Sequence, residues 1–346
     1  MNETLEKISP RCPVFGQCGG CQFQDVSYED ELAIKSKMLH ELFRTAGISP
    51  EVIAPIEPSP KEYHYRCRLD MKFLKIKSGE MFMGFSPVKG FKVVEVEDCP
   101  LAMEPVSMFL PQLKKLACAK IPAKYRNANL TVKTGDDGRV FWGGIGRKSL
   151  KMEPADYFWT TIGGTRVFYS LDTFFQANLS ILPRLMARIR SFGLLERSKT
   201  FFDLYGGVGL FGLVFSGDVR RVVLIEENIH AIRCARYSME FNGCGNMEII
   251  EGRVEDKLPD LLDTMNNGNT VAMIDPPRAG LSRDVKSILL SCSTLKELCY
   301  LSCNPQTLVH DLKEFVQNGW QLVSAVPFDF FPKTRHLETL VVLKRI

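Results

Sequence analysis

Hydrophobic and polar residues follow two different patterns along the chain, and the change between them lies near residue 170. Between residues 61 and 170, apolar and polar residues alternate in short runs, which predicts a mostly β domain. After residue 170, continuous apolar runs alternate with segments of helical spacing, which is typical of a doubly wound, Rossmann-like α/β domain. We therefore expect a central β domain over 61–170 and an α/β domain over 171–346.

The first 60 residues form a third predicted segment. Apolar residues recur at helical spacing from Tyr28 to Ala46, and Ser27 and Gly47 are suitably placed to cap a helix. Residues 50–60 contain four prolines, which indicates a linker. We expect one amphipathic, structural helix in this segment, followed by a linker to the β domain.

Several apolar runs of the α/β domain end in residues that carry chemistry. Four such residues lie at the carboxyl ends of predicted strands: Asp203, Glu226, Asp275 and Cys303. In a parallel sheet these ends share one edge, where a ligand crevice forms. The predicted last strand, 339–343, would start on the same edge if it ran antiparallel, as an edge strand often does. Glu338 lies at that start, so a cysteine and a carboxylate would line one crevice.

The motif Asp-Leu-Tyr-Gly-Gly-Val-Gly at residues 203–209 predicts a strand that runs into a glycine-rich turn and a helix. An acidic residue before such a turn favours S-adenosylmethionine as the ligand, because glycines let the backbone approach it. Glu226 follows about 20 residues later, in the position that usually binds ribose hydroxyls. Gln176, at the start of a helix predicted over 174–190, and Asp275 could orient the donor or a substrate base.

Composition and charge narrow the possibilities further. The 346 residues are 45% hydrophobic and 24% charged, which is ordinary globular composition. No apolar run is long enough to span a membrane and the N-terminus is too polar for a signal peptide, so we expect a cytoplasmic protein. The net charge of +4 lies in residues 1–170, which hold 24 Lys and Arg against 20 Asp and Glu. Residues 61–77 interleave basic and aromatic side chains, which suits RNA phosphates and stacked bases.

The eleven cysteines are odd in number and scattered, which argues against a disulfide framework. Cys12, Cys18 and Cys21 form a C-x5-C-x2-C motif, and Cys99, which precedes a proline, is the candidate fourth ligand. Four thiolates suit either zinc or a [4Fe–4S] cluster. The uneven spacing and the distant fourth ligand favour the cluster.

Cys303 and Glu338 suit one reaction in particular. Carbon 5 of a uracil ring is too electron-poor to attack a methyl sulfonium directly. A thiolate that adds to carbon 6 produces an enolate whose carbon 5 can attack, and a base must then remove the proton from carbon 5. Cys303 fits the role of nucleophile and Glu338 that of base. A uracil inside folded RNA would have to flip out of its stack to reach them.

At these residues the chain resembles the RNA (uracil-5-)-methyltransferase family, and the resemblance covers nearly the whole chain. It is carried by the four-cysteine set and by the motifs Phe-Phe-Gln-Ala-Asn (174–178), Asp-Leu-Tyr-Gly-Gly-Val-Gly (203–209), Asp-Pro-Pro-Arg-Ala-Gly (275–280), Ser-Cys-Asn-Pro-Gln-Thr (302–307) and His-Leu-Glu-Thr (336–339). The resemblance implies a class I methyltransferase that makes 5-methyluridine in RNA, with Cys303 as nucleophile and Glu338 as base. It implies S-adenosylmethionine binding by four residues: Gln176, Tyr205, Glu226 and Asp275.

The cysteine set resembles that of the branch that modifies 23S rRNA. This resemblance implies 23S rRNA as the partner and a [4Fe–4S] cluster held by Cys12, Cys18, Cys21 and Cys99. Eleven residues precede Cys12, so the chain is similar to a short form that lacks the N-terminal β-barrel RNA-binding (TRAM) domain of some members. We expect a monomer, and the modified uridine stays open.

Other interpretations stay open from the sequence. A tRNA 5-methyluridine or an RNA 5-methylcytosine methyltransferase would also use a cysteine adduct. An enzyme that methylates a base amino group is disfavoured, because it would carry an aromatic residue where Arg278 follows the paired prolines. From a different class, the chain could be a cluster-bearing RNA-binding or redox-sensing protein without catalysis.

Overall fold

The computed structural model describes residues 6–90, 92–122, 125–144, 150–197, 199–263 and 269–346. Its helices are α1 (Tyr28–Thr45), α2 (Glu104–Lys120), α3 (Leu182–Ser191), α4 (Leu210–Phe215), α5 (Ile229–Asn242), α6 (Val254–Asp263), α7 (Arg283–Ser291) and α8 (Pro305–Gln317). Its strands are β1 (Arg68–Lys75), β2 (Met81–Phe85), β3 (Val94–Glu95), β4 (Asn127–Thr134), β5 (Val140–Gly143), β6 (Phe158–Ile162), β7 (Thr165–Tyr169), β8 (Thr200–Leu204), β9 (Arg221–Glu226), β10 (Met247–Glu251), β11 (Thr270–Ile274), β12 (Glu297–Ser302), β13 (Trp320–Phe328) and β14 (Glu338–Arg345). In these ranges no helix is long and apolar enough to cross a membrane.

The smaller sheet is antiparallel and has the strand order β3-β2-β1-β4-β5. Leu69, Met71 and Phe73 alternate along β1 as buried residues, and helix α2 covers them with Leu110 and Leu113. The alternation in the sequence therefore reflects a sheet with one packed face and one more exposed face.

The hairpin of β6 and β7 follows the smaller sheet in the chain but shares its core with the larger one. Phe158, Phe168 and Tyr169 belong to the same buried cluster as Phe201 of β8. The Phe168 amide also donates to the Ser238 hydroxyl of α5, at 2.9 Å. Packing thus joins residues 158–169 to the C-terminal sheet, and the boundary predicted at residue 170 falls inside this shared core.

The larger sheet has the order β10-β9-β8-β11-β12-β14-β13, and its strands are parallel from β10 through β12. Its central strands are buried on both faces, which explains their continuous apolar runs. The strand order reverses between β8 and β11. Ligands of doubly wound sheets bind at the carboxyl ends of the strands beside such a reversal.

The last strand runs antiparallel, which is the condition under which Glu338 was expected at the same edge as Cys303, but it is not an edge strand of the sheet. β14 lies between β12 and β13 and is antiparallel to both, which leaves β13 as the edge strand. Since hydrogen bonds hold β14 on both sides, the position of its first residue, Glu338, is fixed by two neighbours.

The stretch predicted as a linker is attached along this edge strand. The Ala54 amide donates to the Ala325 carbonyl and the Glu57 amide to the Pro327 carbonyl, both at 2.8 Å. Residues 53–57 therefore cover part of the free edge of β13, which would otherwise expose unpaired backbone groups.

Helix α1 packs against the larger sheet and not against the smaller one. Leu39 and Phe43 are buried in the cluster formed by β8, β9 and β12. The Lys35 ammonium donates to Glu31 and to Asp329, both at 2.7 Å, and all three side chains are fully buried. Because a buried charge cannot lose its partner without a large cost, these bonds fix α1 against the segment that leads into β14.

Helix α3 begins at Leu182 and not at Phe174, so the helix predicted over 174–190 is wrong in its first part. Residues 174–178 instead form a turn that bonds to the start of β1. The Cys67 amide donates to the Ala177 carbonyl at 2.9 Å, and the Asn178 side chain donates to the Phe330 carbonyl at 3.1 Å. These long-range bonds replace the first helical turn and hold Gln176 near the sheet edge.

Candidate active site

Cys303 and Glu338 lie on neighbouring strands at the same edge of the larger sheet. In the β12–β14 pair, Ser302 lies opposite Thr339. One step further along the same register, Cys303 lies beside Glu338. Facing residues of an antiparallel pair have Cα atoms about 5 Å apart. Strand pairing alone therefore brings the sequence-predicted nucleophile and base together.

Cys303 opens into a cavity of about 410 Å³. Three parts of the chain form its walls: one face of helix α1, the segment before β14, and the start of helix α8 with the loop after β11. The lining side chains include Met38, Leu42, Arg278, Gln306, Arg335 and His336. Helix α1, which the sequence indicated only as a structural helix, is thus part of this wall.

The charged groups around Cys303 favour the protonated forms of both residues. Burial and the nearby carboxylates of Glu338 and Asp275 raise the pKa of the Cys303 thiol to about 11. The positive charge of Arg278 acts in the opposite direction and lowers this pKa. Burial and Asp275 also raise the pKa of Glu338 well above its usual range. Cys303 directly precedes the amino end of α8, whose dipole favours a thiolate. A cation bound in this crevice would favour ionisation of both groups.

The glycine-rich turn after β8 leads to a second cavity. Tyr205, Gly207 and Gly209 all have positive φ, so the turn depends on residues that adopt a left-handed backbone. The Gly207 amide donates to the Glu226 carboxylate at 2.9 Å, which ties the turn to the end of β9. Tyr205 and Glu226 line a cavity of about 310 Å³ at this place. The two predicted donor-binding residues are therefore neighbours.

Asp203 does not reach this cavity. It lies within β8, fully buried, and one of its oxygens accepts from the Gly212 amide at 2.8 Å. The other oxygen has no hydrogen-bond partner among the residues that the structure describes. Burial raises the pKa of Asp203 well above its usual range, and Asp275 and Glu226 add to the effect. Asp203 thus bonds to helix α4, which follows the glycine turn.

Asp275 and Gln176 lie together, as the Gln176 amide donates to the Asp275 carboxylate at 3.2 Å. Burial raises the pKa of Asp275 to about 7, and this hydrogen bond lowers it. The loop that Asp275 begins separates the two cavities: Arg278 lines the Cys303 cavity, while Pro277 and Ala279 line the Tyr205 cavity. Asp275 thus stands at the boundary between nucleophile and glycine turn.

Burial affects three carboxyl groups at this edge of the sheet. Asp203, Asp275 and Glu338 all have pKa values raised by burial, and none forms an ion pair among the described residues. Uncompensated acidic groups in a cleft are costly and mark functional sites. A cationic ligand such as a sulfonium with an ammonium group matches this charge.

The four predicted cluster ligands line one small cavity of about 50 Å³: Cys12, Cys18, Cys21 and Cys99. Burial raises the pKa of the Cys21 thiol to about 12. A hydrogen bond from Gln24 opposes this effect, and the neighbouring thiols add to it. In the described part of the chain, no three or more Cys, His, Asp or Glu side chains converge as the ligands of one ion would.

Arg66 borders the same cavity, and its buried Nε atom has no hydrogen-bond partner within the described ranges. Its guanidinium lies 5.8 Å from the ring of Phe331, on the segment before β14. In addition, the amides of Gln22 and Phe23 donate to the Lys333 carbonyl, at 2.9 and 3.1 Å. The cysteine-rich loop is therefore bonded directly to the segment that carries Glu338.

Some basic side chains of the sheet predicted to bind RNA are already bonded within the protein. Arg68 is paired with Asp70 at 2.8 Å. Lys133 of the adjacent strand is buried, and its ammonium donates to the Ser170 carbonyl at 2.7 Å. Sequence reasoning did not identify Arg335 and His336 as site residues; their only signal is that they directly precede Glu338.

The fold is shared with a solved structure, that of the Pyrococcus abyssi tRNA (uracil-54, C5)-methyltransferase in complex with S-adenosyl-L-homocysteine. The match has a TM-score of 0.72 and 22% identity, and it covers 96% of this chain and 86% of the other. Among relatives, a Clostridium tetani protein described as an uncharacterized RNA methyltransferase is 29% identical, over 98% of this chain and 84% of its own length. A Schizosaccharomyces pombe tRNA (uracil(54)-C(5))-methyltransferase is 27% identical, over 99% of this chain and 68% of its own.

The fold and the crevice define a methyltransferase of the doubly wound class. The sequence model of the tRNA (Uracil-5-)-methyltransferase family matches residues 156–346, more than half of the chain. The chain belongs to this family. It is accordingly an RNA (uracil-5-)-methyltransferase that takes its methyl group from S-adenosylmethionine.

The raised pKa of Asp275 makes stability depend on pH. An acid that binds its proton more tightly in the folded state stabilises the fold at low pH, and this contribution is lost as pH rises from about 4 to 7. The substitution Asp275→Asn removes this pH-dependent loss of stability, and its side-chain oxygen can still accept the hydrogen bond from Gln176. The free energy of unfolding of the variant, relative to wild type without ligand, should therefore rise over this range by up to about 4 kcal/mol.

Urea unfolding at several pH values measures this difference. Asp260→Asn, a change at an exposed residue of α6, is the matched control and should follow wild type. A difference between Asp275→Asn and wild type that stays constant from pH 4 to 8 would contradict the account.

Proposed function

We propose that this enzyme methylates carbon 5 of a uridine in 23S rRNA, with Cys303 as the nucleophile and Glu338 as the base. The observation that carries the proposal is the β12–β14 register, which brings these two side chains together beside Asp275. A nucleophile and a base that act on adjacent ring carbons need such a placement.

The reaction follows from the two roles. The Cys303 thiolate adds to carbon 6 of the flipped uracil, and the electron pair of the carbon 5–carbon 6 double bond moves into an enolate. S-adenosylmethionine supplies the methyl group, which carbon 5 takes. The Glu338 carboxylate then removes the remaining proton from carbon 5. The double bond re-forms and expels the Cys303 sulfur, which leaves 5-methyluridine.

Four residues are proposed to hold the methyl donor: Gln176, Tyr205, Glu226 and Asp275. Glu226 is placed to accept from ribose hydroxyls at the end of β9. Tyr205 lines the same cavity, and Asp275 with Gln176 lies between this cavity and Cys303. The buried carboxyl groups of Asp203, Asp275 and Glu338 support this assignment, because the positive charge of the donor would favour their ionised forms.

We further propose that Cys12, Cys18, Cys21 and Cys99 hold a [4Fe–4S] cluster. Their common cavity and the buried, unpartnered Nε of Arg66 beside it fit an anionic centre coordinated by thiolates. When bound, the cluster would link the N-terminal loop to the segment around Cys99. We propose a structural role for it, since the cysteine loop supports the segment that leads to Glu338 through Lys333.

The choice of 23S rRNA rests on this cysteine set. We propose that residues 1–60 form the cluster segment with α1, that the domain over 61–170 contacts the RNA, and that residues 171–346 carry out methylation in a monomer. A tRNA 5-methyluridine activity is the second candidate, because one relative and one structural match bear the name of a tRNA enzyme.

A 5-fluorouridine RNA tests the role of Cys303. Fluorine cannot leave carbon 5 as a proton does, so the adduct should persist as a covalent protein–RNA complex. Wild type should give this complex on denaturing gels in the presence of S-adenosylmethionine, and Cys303→Ser should give none. Cys118→Ser, at a half-buried cysteine of α2, is the control and should match wild type. Equal trapping by Cys303→Ser would refute the assignment.

Nucleoside analysis tests the substrate. In cells that lack this protein, 5-methyluridine should disappear from one position of 23S rRNA, because no second enzyme is expected to act there, while tRNA is unchanged. Mass spectrometry of purified rRNA and tRNA fragments gives both values from one culture. Unchanged rRNA with loss of 5-methyluridine from tRNA would establish the second candidate instead.

Metal analysis tests the cluster. Protein purified without oxygen should contain about four iron atoms and an equal amount of sulfide per chain. Cys21→Ser should lose most of this iron, whereas Cys118→Ser should retain it. The presence of about one zinc per chain, or iron that is indifferent to Cys21→Ser, would contradict the proposal.

A further inference from the structure

The Cys303 cavity is larger than one pyrimidine needs. Its volume is about 410 Å³, whereas an apolar cavity of about 150 Å³ is enough to bind benzene. Since uracil is also a single six-membered ring, the cavity has space for a second flat group beside the target base.

The wall opposite Cys303 is apolar and firmly held. Met38 and Leu42 are four residues apart on α1 and therefore lie on the same face of the helix. Met38 lines the cavity and is 39% exposed, so its side chain is accessible to a ligand there. The buried Lys35–Asp329 bond fixes this face relative to Glu338. A methionine side chain is well suited to adapt to a planar ring.

The mouth of the cavity is cationic. Among the described residues, the side chains of Arg278 and Arg335 form no ion pair or hydrogen bond, in contrast to the fully paired Lys35. Burial is the main cause that lowers the pKa of His336, and the surrounding positive charges, which include Arg278 and Arg335, lower it further. Two unpaired guanidinium groups beside an apolar face match a nucleotide, which has a flat base and an anionic phosphate.

We propose that the Met38–Leu42 face is a second base-binding subsite, which takes the nucleotide next to the target uridine in the RNA. Its base stacks on Met38 and Leu42, and the phosphate that joins the two nucleotides lies between Arg278 and Arg335. The methyl donor is not the occupant, because its proposed cavity lies on the other side of the loop over 275–280. The inference rests on the proposed role of Cys303, because the proposed occupant is the nucleotide next to the uridine that Cys303 attacks.

The test is a cycle of protein and RNA changes. The probe is a single-stranded 5-fluorouridine RNA in three forms: intact, with an abasic site on the 5′ side of the target, and with an abasic site on its 3′ side. The proteins are wild type, Met38→Ala and the control Val316→Ala, which removes apolar side-chain atoms at a 45% exposed position near the end of α8, outside the cavity lining and outside the domain proposed to contact the RNA. Covalent trapping efficiency and equilibrium binding by fluorescence anisotropy are measured for each pair.

For wild type, one of the two abasic RNAs should be trapped and bound about tenfold less well than the intact RNA, a loss of ~1.4 kcal/mol. Met38→Ala should show a similar loss on intact RNA and no further loss on that abasic RNA, whereas Val316→Ala should follow wild type throughout. The inference is overturned if Met38→Ala keeps the full sensitivity to the abasic site, or matches Val316→Ala on intact RNA. Absence of trapping by wild type would instead refute the role of Cys303, and the binding data would still decide on the subsite.

Discussion

The central constraint in this molecule is the insertion of β14 between β12 and β13. A parallel sheet brings the carboxyl ends of its strands to one edge, but it cannot bring the start of the last strand, with the proposed base, to the proposed nucleophile unless that strand reverses direction. Hydrogen bonds on both sides of β14 set the register in which Glu338 follows directly beside Cys303. A slip of one residue would turn Glu338 to the other face of the sheet.

The same edge carries an electrostatic cost that the fold itself does not offset. Burial raises the pKa of Asp203, Asp275 and Glu338, and of these three only Glu338 has a cation, Arg278, among the causes that lower its pKa. Sites that conflict with folding in this way are where function is expected. A methyl donor with a positive charge would favour the ionised forms of these groups, so the carboxyl groups that are costly to bury are those that would favour donor binding. Helix α1 and the cysteine loop support the crevice from outside, because both are bonded to the segment over 329–337.

Much of this site could be predicted from the sequence, because its chemistry lies at strand ends that have clear local signals. The apolar run before Cys303, the glycine turn after Asp203 and the acid at the end of β9 each mark one end of one strand, and parallel pairing then brings them together. The antiparallel direction of β14 was considered only as a condition for Glu338 to reach this edge. Its inner position was not predicted, since the sequence shows that a strand is apolar but not which two strands flank it.

Other parts of the site depend on contacts between distant residues and carry no local signal. Residues 174–178 have a helical pattern, yet their bonds to Cys67 and Phe330 hold them as a turn. Met38 lies some 265 positions before Cys303 and looks like any residue of an amphipathic helix; only the packing of α1 makes it a wall of the cavity. The hairpin over 158–169 alternates like the strands before it, but its aromatic residues complete the core of the other sheet.

The account is tested most directly by Glu338→Gln with ordinary, unfluorinated RNA and S-adenosylmethionine that carries a labelled methyl group. If Glu338 removes the proton from carbon 5, this variant should still add Cys303 to the uracil and transfer the methyl group, and then stop. A covalent protein–RNA complex that contains the label should accumulate, with its attachment at Cys303 by peptide mass spectrometry. Turnover at the wild-type rate, or a complex without the label, would contradict the pairing of these two residues in one reaction.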